Sequence, residues 1–189
     1  MSEDSQSAGQ IEHENRPYAF RSYDSSWPQQ FEKIAEEICS VFGDSIVELE
    51  HVGSTSIQGL SAKPQIDVLV TVRDFAGVPR YYPQMESRGY TPRGDYTNEG
   101  EEYFTKDVPS GARLASVHIL PTGHRWAVDL IDFRDYLRTH PNELALYDAS
   151  KQKAHYSYPD DYTNYYKSKL KIVHELRHRA AEWRGHKLQ

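Results

Sequence analysis

Between His51 and Val72 the chain reads HVGSTSIQGLSAKPQIDVLVTV, a turn of small residues, a loop, and an apolar segment with one carboxylate, Asp67. Gly53 and Gly59 permit tight backbone geometry, Ser54, Thr55 and Ser56 supply hydroxyl donors, and Lys63 adds a cation shortly before Asp67. Backbone amides, hydroxyls and a lysine are what a polyphosphate needs, and an aspartate on the next strand could hold a divalent cation such as Mg²⁺ against it. The same composition also suits an ordinary strand-to-strand connection. His51 and His118 widen the chemistry: with Asp67 they could bind one transition metal or move a proton, and either could equally be a hydrogen-bonded strand residue. Arg134 and Arg138, four apart on one helix face, could clamp a phosphate or carboxylate, or pair with Asp135 and other acids.

These residues need elements to position them. Ser26–Gln29 reads as a capping box with Pro28 in the first turn. Phe31, Ile34, Ile38 and Phe42 follow at helical spacing until Gly43 ends the helix, with Cys39 near its buried side. Residues 45–52 and 65–72 read as strands. In the second, Ile66, Val68, Val70 and Val72 share one face, and Gln65, Asp67 and Leu69 the other. A short helix over 79–88 closes at Gly89, and 102–106 with 113–120 makes a hairpin that puts Ser116 and His118 on one face. The remainder predicts helices over about 125–138, 141–155 and 163–183. The last carries an apolar stripe of Tyr166, Leu170, Val173, Leu176, Ala180 and Trp183, with Lys167, Lys169, Lys171, Arg177 and Arg179 around it. Trp27, Trp126 and Trp183 are expected to pack in the core.

At 189 residues the chain suits one domain over 16–189, after a disordered arm over 1–15 that has almost no apolar content. Cys39 is the sole cysteine, the first residues lack a secretory h-region, and no apolar run approaches a bilayer span. A cytoplasmic location with no membrane partner is therefore expected. The net charge of −6 is unevenly spread: residues 151–189 carry nine Lys/Arg against four Asp/Glu, which leaves thirteen against twenty-four in the rest. A basic terminal helix on an acidic body could be a nucleic-acid or nucleotide footprint, or simply a solvated helix face.

The stretch resembles the GrpB-like family, through His51, Gly53-Ser54-Thr55, Gly59-Leu60, Ala62-Lys63-Pro64 and Ile66-Asp67. Further matches are Tyr23-Asp24 with Trp27, Gly89-Tyr90, Val117-His118-Ile119, and the run Phe133 to Arg138 followed by His140-Pro141, so the likeness covers about residues 18–180. The resemblance implies an α+β nucleotidyltransferase-like fold of the DNA polymerase beta type, a mixed sheet flanked by helices with a helical C-terminal part. In that superfamily a Gly-Ser turn precedes an Asp-x-Asp strand, a third carboxylate lies nearby, and two Mg²⁺ ions drive transfer. Here Gln65 or Leu69 stands where the second aspartate belongs, and His118 occupies the expected strand of the third. The resemblance thus implies a transferase cleft around Ser54, Lys63 and Asp67, acting on a nucleotide or a tRNA-linked substrate. A second reading is an aminoacyl-tRNA-dependent synthase of arginine-containing cyclodipeptides, with Glu50 and Asp67 forming an acidic pocket and His118 or His51 moving the proton. A third is a non-catalytic nucleotide-binding module with a degenerate metal site.

Overall fold

The computed structural model describes residues 18–185, so the arm expected over 1–15 lies outside the described residues. The first helix, α1, runs Trp27–Phe42, buries Trp27, Ile34, Ile38 and Phe42, and ends where the Gly43 N–H bonds back to the Cys39 carbonyl. Its start differs from a capping box. The Ser26 N–H and Oγ both donate to Asp24 Oδ1, at 2.9 and 2.7 Å, and Gln30 Nε2 donates to Ser26 Oγ at 2.9 Å. An Asx turn at Asp24 thus fixes the helix entry in place of a serine cap. Cys39 is exposed, on the side of α1 away from its buried stripe.

Five strands form one mixed sheet: β1 Ile46–Val52, β2 Ile66–Val72, β3 Tyr90–Gly94, β4 Glu102–Asp107 and β5 Arg113–Pro121, in the order β1-β2-β5-β4-β3. β2 and β5 run parallel and every other pair is antiparallel, so the expected β4–β5 hairpin places β5 in the middle of the sheet. Between β2 and β3 a 3₁₀ turn, Val78–Tyr81, leads into α2, Tyr82–Ser87. The sequence reading assigns no strand to β3. Pro92 and Gly94 argue against one, yet β3 lies at the sheet edge, where a proline is tolerated.

Alternation along β2 sets the two layers. Ile66, Val68, Val70 and Val72 face the largest core, with residues of α1 and Met85 of α2. Leu69 points the other way, into a cluster with Val52, Leu120 and Ala127. That second face is covered by α3, Arg125–Thr139, and beyond it lie α4, Pro141–Ser157, and α5, Tyr162–Arg184. Asp67 shares this face by the period of two.

In α5 the buried positions are Tyr162, Tyr165, Leu176, Ala180 and Ala181, a stripe offset from the expected one. Trp27 is core, Trp126 is half-buried, and Trp183 is 42% exposed. The arginines of α5 engage neighbouring helices: Arg177 with Asp129 at 2.9 Å, Arg179 with Glu143 at 2.7 Å, and Arg184 with Asp132 and Asp135. Much of the charge asymmetry along the chain is therefore a division between helices that meet in space. Among the described residues no helix is long and apolar enough to cross a membrane.

One polar network ties α3 to the sheet and the Gly53 loop. Arg134, 8% exposed, donates from Nη1 to Glu50 Oε2 at 2.6 Å and to the His51 carbonyl at 3.1 Å, and from Nε to Asp135 at 2.8 Å. Arg138 donates to the Ser56 carbonyl from Nε and Nη2, at 3.2 and 2.7 Å. Arg134→Ala would leave the Glu50 carboxylate and a buried carbonyl without their donor, so unfolding in urea should show a loss of about 2–3 kcal/mol with an unchanged m-value.

Candidate functional site

Strand pairing assembles two cross-strand rows on the helix-covered face. Val52, Asp67, Ser116 and Thr105 form one, and Glu50, Leu69, His118 and Tyr103 the next. A cavity of about 180 Å³ opens over Asp67, floored by Gln65, Ser116, His118, Tyr103 and Thr105. Its walls are Arg93 and Arg113 from the sheet, Tyr96 and Thr97 from the loop before β4, and Tyr162 and Tyr166 from α5.

The turn before β2 closes on the carboxylate itself. Gly53 sits at φ 70°, and a Cβ there would lie 2.1 Å from Asp67 Oδ2. Both the backbone conformation and the contact require glycine. On the other side Gln65 Nε2 donates to Asp67 Oδ1 at 2.7 Å and to Ser116 Oγ at 3.1 Å, and Ser116 Oγ bonds the Tyr103 hydroxyl at 2.7 Å. Gln65, one of the two positions where the sequence resemblance led an aspartate to be expected, is thus an amide donor to Asp67.

His118 is the histidine of the cavity. Its Nδ1 lies 2.6 Å from Glu101 Oε2, and the two side chains are 14% and 0% exposed. Glu101 is held in turn by Thr97 Oγ1 at 2.7 Å. Burial disfavours the charged ring, but the bound Glu101 carboxylate, with Asp67 further off, outweighs it and holds the His118 pKa above its ordinary value. With Nδ1 committed to Glu101, Nε2 is the ring atom left for a ligand.

His51 belongs elsewhere. One residue from Glu50 on β1, it turns to the opposite face of the sheet, where it stacks on Phe31 with ring centroids 4.7 Å apart. Thr55 Oγ1 donates to the Gln65 carbonyl at 3.0 Å and so accepts from His51 Nε2, also at 3.0 Å. Burial, with Arg138 and Arg134 nearby, pushes the His51 pKa down to about 4. Of the other expected site residues, Glu50, Arg134 and Arg138 form the α3 anchor and do not line the cavity. Thr55 is buried and Ser54 is half-buried in the turn, and neither lines the cavity. Lys63 donates to the Tyr162 hydroxyl at 2.9 Å and borders a hollow of about 40 Å³ that shares Gln65 and Arg113 with the Asp67 cavity. Asp67 and His118 therefore share the cavity, Gly53 closes on Asp67 from its turn, Lys63 lies at the adjoining hollow, and the rest are not brought there.

The donor set does not fit a pair of Mg²⁺ ions. One Asp67 oxygen accepts from Gln65, the other lies against Gly53, and Glu101 is committed to His118 and Thr97. Among the described residues no three His, Cys, Asp or Glu side chains converge to hold a metal. Mg²⁺ takes octahedral oxygen ligands, several of them waters with one or two carboxylates, and a pair of ions needs more uncommitted carboxylates than this arrangement offers.

The sequence reading missed Glu101, Tyr103, Arg93, Arg113, Tyr96 and Tyr162. Alternation along the expected strand over 102–106 was a usable signal for Tyr103 and Thr105, which pair with His118 and Ser116. Nothing local marks Glu101, which lies just before that strand.

Residues 17–179 match the family model described as GrpB protein. The chain belongs to the GrpB family. It is 34% identical over 162 residues to UPF0157 protein YqkA of Bacillus subtilis, covering 86% of this chain and 47% of that one. UPF0157 protein BH1888 of Halalkalibacterium halodurans is 33% identical over 172 residues, covering 91% of this chain and 87% of the relative. The chain thus spans about half the length of YqkA. The crystal structure of conserved protein GrpB from Enterococcus faecalis superposes with a TM-score of 0.83 at 28% identity, over 88% of this chain and 99% of that one. Within this GrpB chain, the Gly53–Asp67 contact and the Glu101–His118 pair therefore lie inside the matched region.

Gly53→Ala should cost about 2–3 kcal/mol in a denaturant titration, because positive φ and the clash with Asp67 act together. His51 sets an acid limit on stability. Its folded pKa of about 4 lies below the unfolded value of 6.5, so its contribution is complete above pH 6.5 and is lost as pH falls through the folded pKa. The total is about 3 kcal/mol at about 1.4 kcal/mol per unit. His118, with its pKa raised, acts in the opposite sense, losing its contribution as pH rises. In His51→Asn the fall in thermal stability between pH 6.5 and 4 should flatten, while the alkaline limb set by His118 remains.

Proposed function

We propose that this protein is an enzyme of nucleotidyltransferase-like fold that transfers a group to or from a nucleotide in the Asp67 cavity. The observation that carries this reading is the meeting, in one cavity, of Asp67 under the Gly53 turn with His118 held at Nδ1 by Glu101. Asp67 is placed to take the proton of an attacking hydroxyl, and the Glu101 carboxylate, which raises the His118 pKa, favours the protonated ring that a proton donor needs. In the step envisaged, the hydroxyl oxygen bonds phosphorus as its proton passes to Asp67. The bond from phosphorus to the leaving oxygen breaks, and His118 Nε2 protonates that oxygen. Arg93, Arg113 and Lys63 surround the cleft with positive charge suited to phosphate, and Tyr96, Tyr162 and Tyr166 offer faces for a base. The cavity of about 180 Å³ is below the roughly 300–1,000 Å³ usual for small-molecule sites, so only part of a nucleotide enters unless the loop over residues 95–101 moves.

The Gln65 amide on Asp67 favours a second reading, a nucleotide-binding module without turnover. The cyclodipeptide synthase reading called for Glu50 and Asp67 in one acidic pocket. Glu50 is bound to Arg134 instead, which withdraws that support.

The two supported readings separate in an assay with labelled nucleoside triphosphates and hydroxyl acceptors, followed by pyrophosphate release and label transfer. Transfer by the parent chain that falls at least about 100-fold in Asp67→Asn and in His118→Gln, with circular dichroism unchanged, supports the enzyme. Nucleotide binding with no transfer by the parent supports the module, and an undiminished rate in Asp67→Asn sinks the roles assigned above.

A further inference from the structure

Residues 1–17, which precede the described part of the chain, carry Glu3, Asp4, Glu12 and Glu14 against Arg16 alone. The structure fixes where that acidic stretch joins the fold. Arg21 pairs with Ala62 in an antiparallel bridge, with N···O distances of 3.0 and 2.9 Å, and Phe20 stacks on His155 of α4. Tyr18 packs on α5, its ring centroid 5.1 Å from that of Tyr165 and 5.8 Å from that of Tyr162, and its hydroxyl donates to the Tyr158 carbonyl. Followed backwards, the chain passes from a hollow on α4, lined by Phe20 and Arg21, to one lined by Tyr18, Ala19, Lys63 and Arg113. That second hollow shares Gln65 and Arg113 with the Asp67 cavity, and Tyr162 is part of the cavity wall. The acidic stretch therefore meets the fold at the edge of the cavity.

Charge gives that stretch a direction. Asp160 and Asp161, just before α5, act on the Tyr18 hydroxyl and repel a further carboxylate. Lys63 and Arg113 in the hollow and Arg93 in the cavity wall attract one, and Asp67 is the only carboxylate among the described residues that line the two spaces. Arg113 is also paired with Asp107, and Arg93 donates to the Thr105 hydroxyl. An extended chain covers about 3.4 Å per residue, so Glu14 reaches roughly 14 Å from Tyr18 and Glu12 roughly 20 Å. The ring that walls the cavity is only 5.8 Å from Tyr18. Both carboxylates are thus within reach of the cationic cleft.

We propose that residues 10–17 of this chain lie across the mouth of the Asp67 cavity, with Glu12 and Glu14 set against Lys63, Arg93 and Arg113, and that they compete there with the phosphates of a ligand. The cations that a nucleotide would use are then covered in the resting chain, and a ligand must displace the segment to enter. A segment tethered by a few residues is present at an effective concentration of the order of millimolar, so a few exposed ion pairs suffice to hold it. The competition rests on the nucleotide reading above; the docking does not.

The test compares the full chain with the full-length double variant Glu12→Gln/Glu14→Gln, which removes the two charges and keeps the side-chain size. Docking is read by NMR, from backbone amide shifts and arginine Nε–H shifts. The expected result is a set of shift differences concentrated at Arg93, Tyr96, Arg113 and Tyr162. Raising salt from about 0.05 to about 0.5 M should move the parent towards the variant, because exposed pairs are screened. Identical spectra at those residues overturn the proposal, and so do differences that appear only as protein concentration rises, which would assign the segment to a second copy. Competition is read by calorimetric titration with ATP, which the double variant should bind at least about fivefold more tightly than the parent. Equal affinity overturns the competition. Shift differences with no ATP binding by either chain support the docking and overturn the nucleotide reading.

Discussion

Strand β2 is hydrogen-bonded on both edges, to β1 and β5, and covered on both faces, so almost every side chain on it must be apolar. Ile66, Val68 and Val70 satisfy that demand towards α1, and Leu69 does so towards α3. The exceptions are Thr71, whose hydroxyl donates to Glu48, and Asp67, the one charged side chain on the strand, and the structure around Asp67 accommodates a carboxylate at that point. Gly53 gives up its side chain so that the turn can pass, Gln65 and Ser116 supply polar neighbours, and the cavity admits solvent. The helical layer leaves this one part of the sheet uncovered by apolar groups, and the arginines and tyrosines of the cleft rim occupy its border.

The same imidazole chemistry takes two opposite courses on the two faces of this sheet. His51 is enclosed by Phe31 and a threonine hydroxyl with two arginines nearby, and it stays neutral far into the acid range. His118 is also enclosed, but its partner is a buried carboxylate, and it keeps its proton more tightly than a free histidine. Burial alone does not set which way a histidine's pKa moves. The sign of the nearest charge does, and that sign depends on which face of the strand each residue meets.

Several parts of this arrangement were legible in the residue pattern. The valines and isoleucine of β2 at alternate positions, the apolar spacing of α1 and the three C-terminal helices follow from periods of 2 and 3.6 that any chain must obey. Placing Asp67 opposite the main core followed from the same counting. β3 escaped because Pro92 and Gly94 mask an edge strand, and the Asx turn at Asp24 escaped because Ser26 offers an equally plausible cap. The pairing of Arg134 with Glu50 crosses 84 positions, a separation at which spacing carries no information.

The sequence by itself determined the family and the strand on which Asp67 lies, since the motif and the alternation are local; that Gly53 must be glycine came from its contact with Asp67 across the fold. Which residues join Asp67 was decided only by the tertiary structure. Register across β2, β5 and β4 brought Ser116, His118 and Tyr103 alongside, and packing of α5 added Tyr162 and Tyr166. The same folding sent His51 to the far face and turned Glu50, Arg134 and Arg138 into an anchor for α3. A side chain's chemistry is written in its type, but its partners and its dielectric surroundings come from residues far along the chain, and those set whether it binds, titrates or merely holds the fold together.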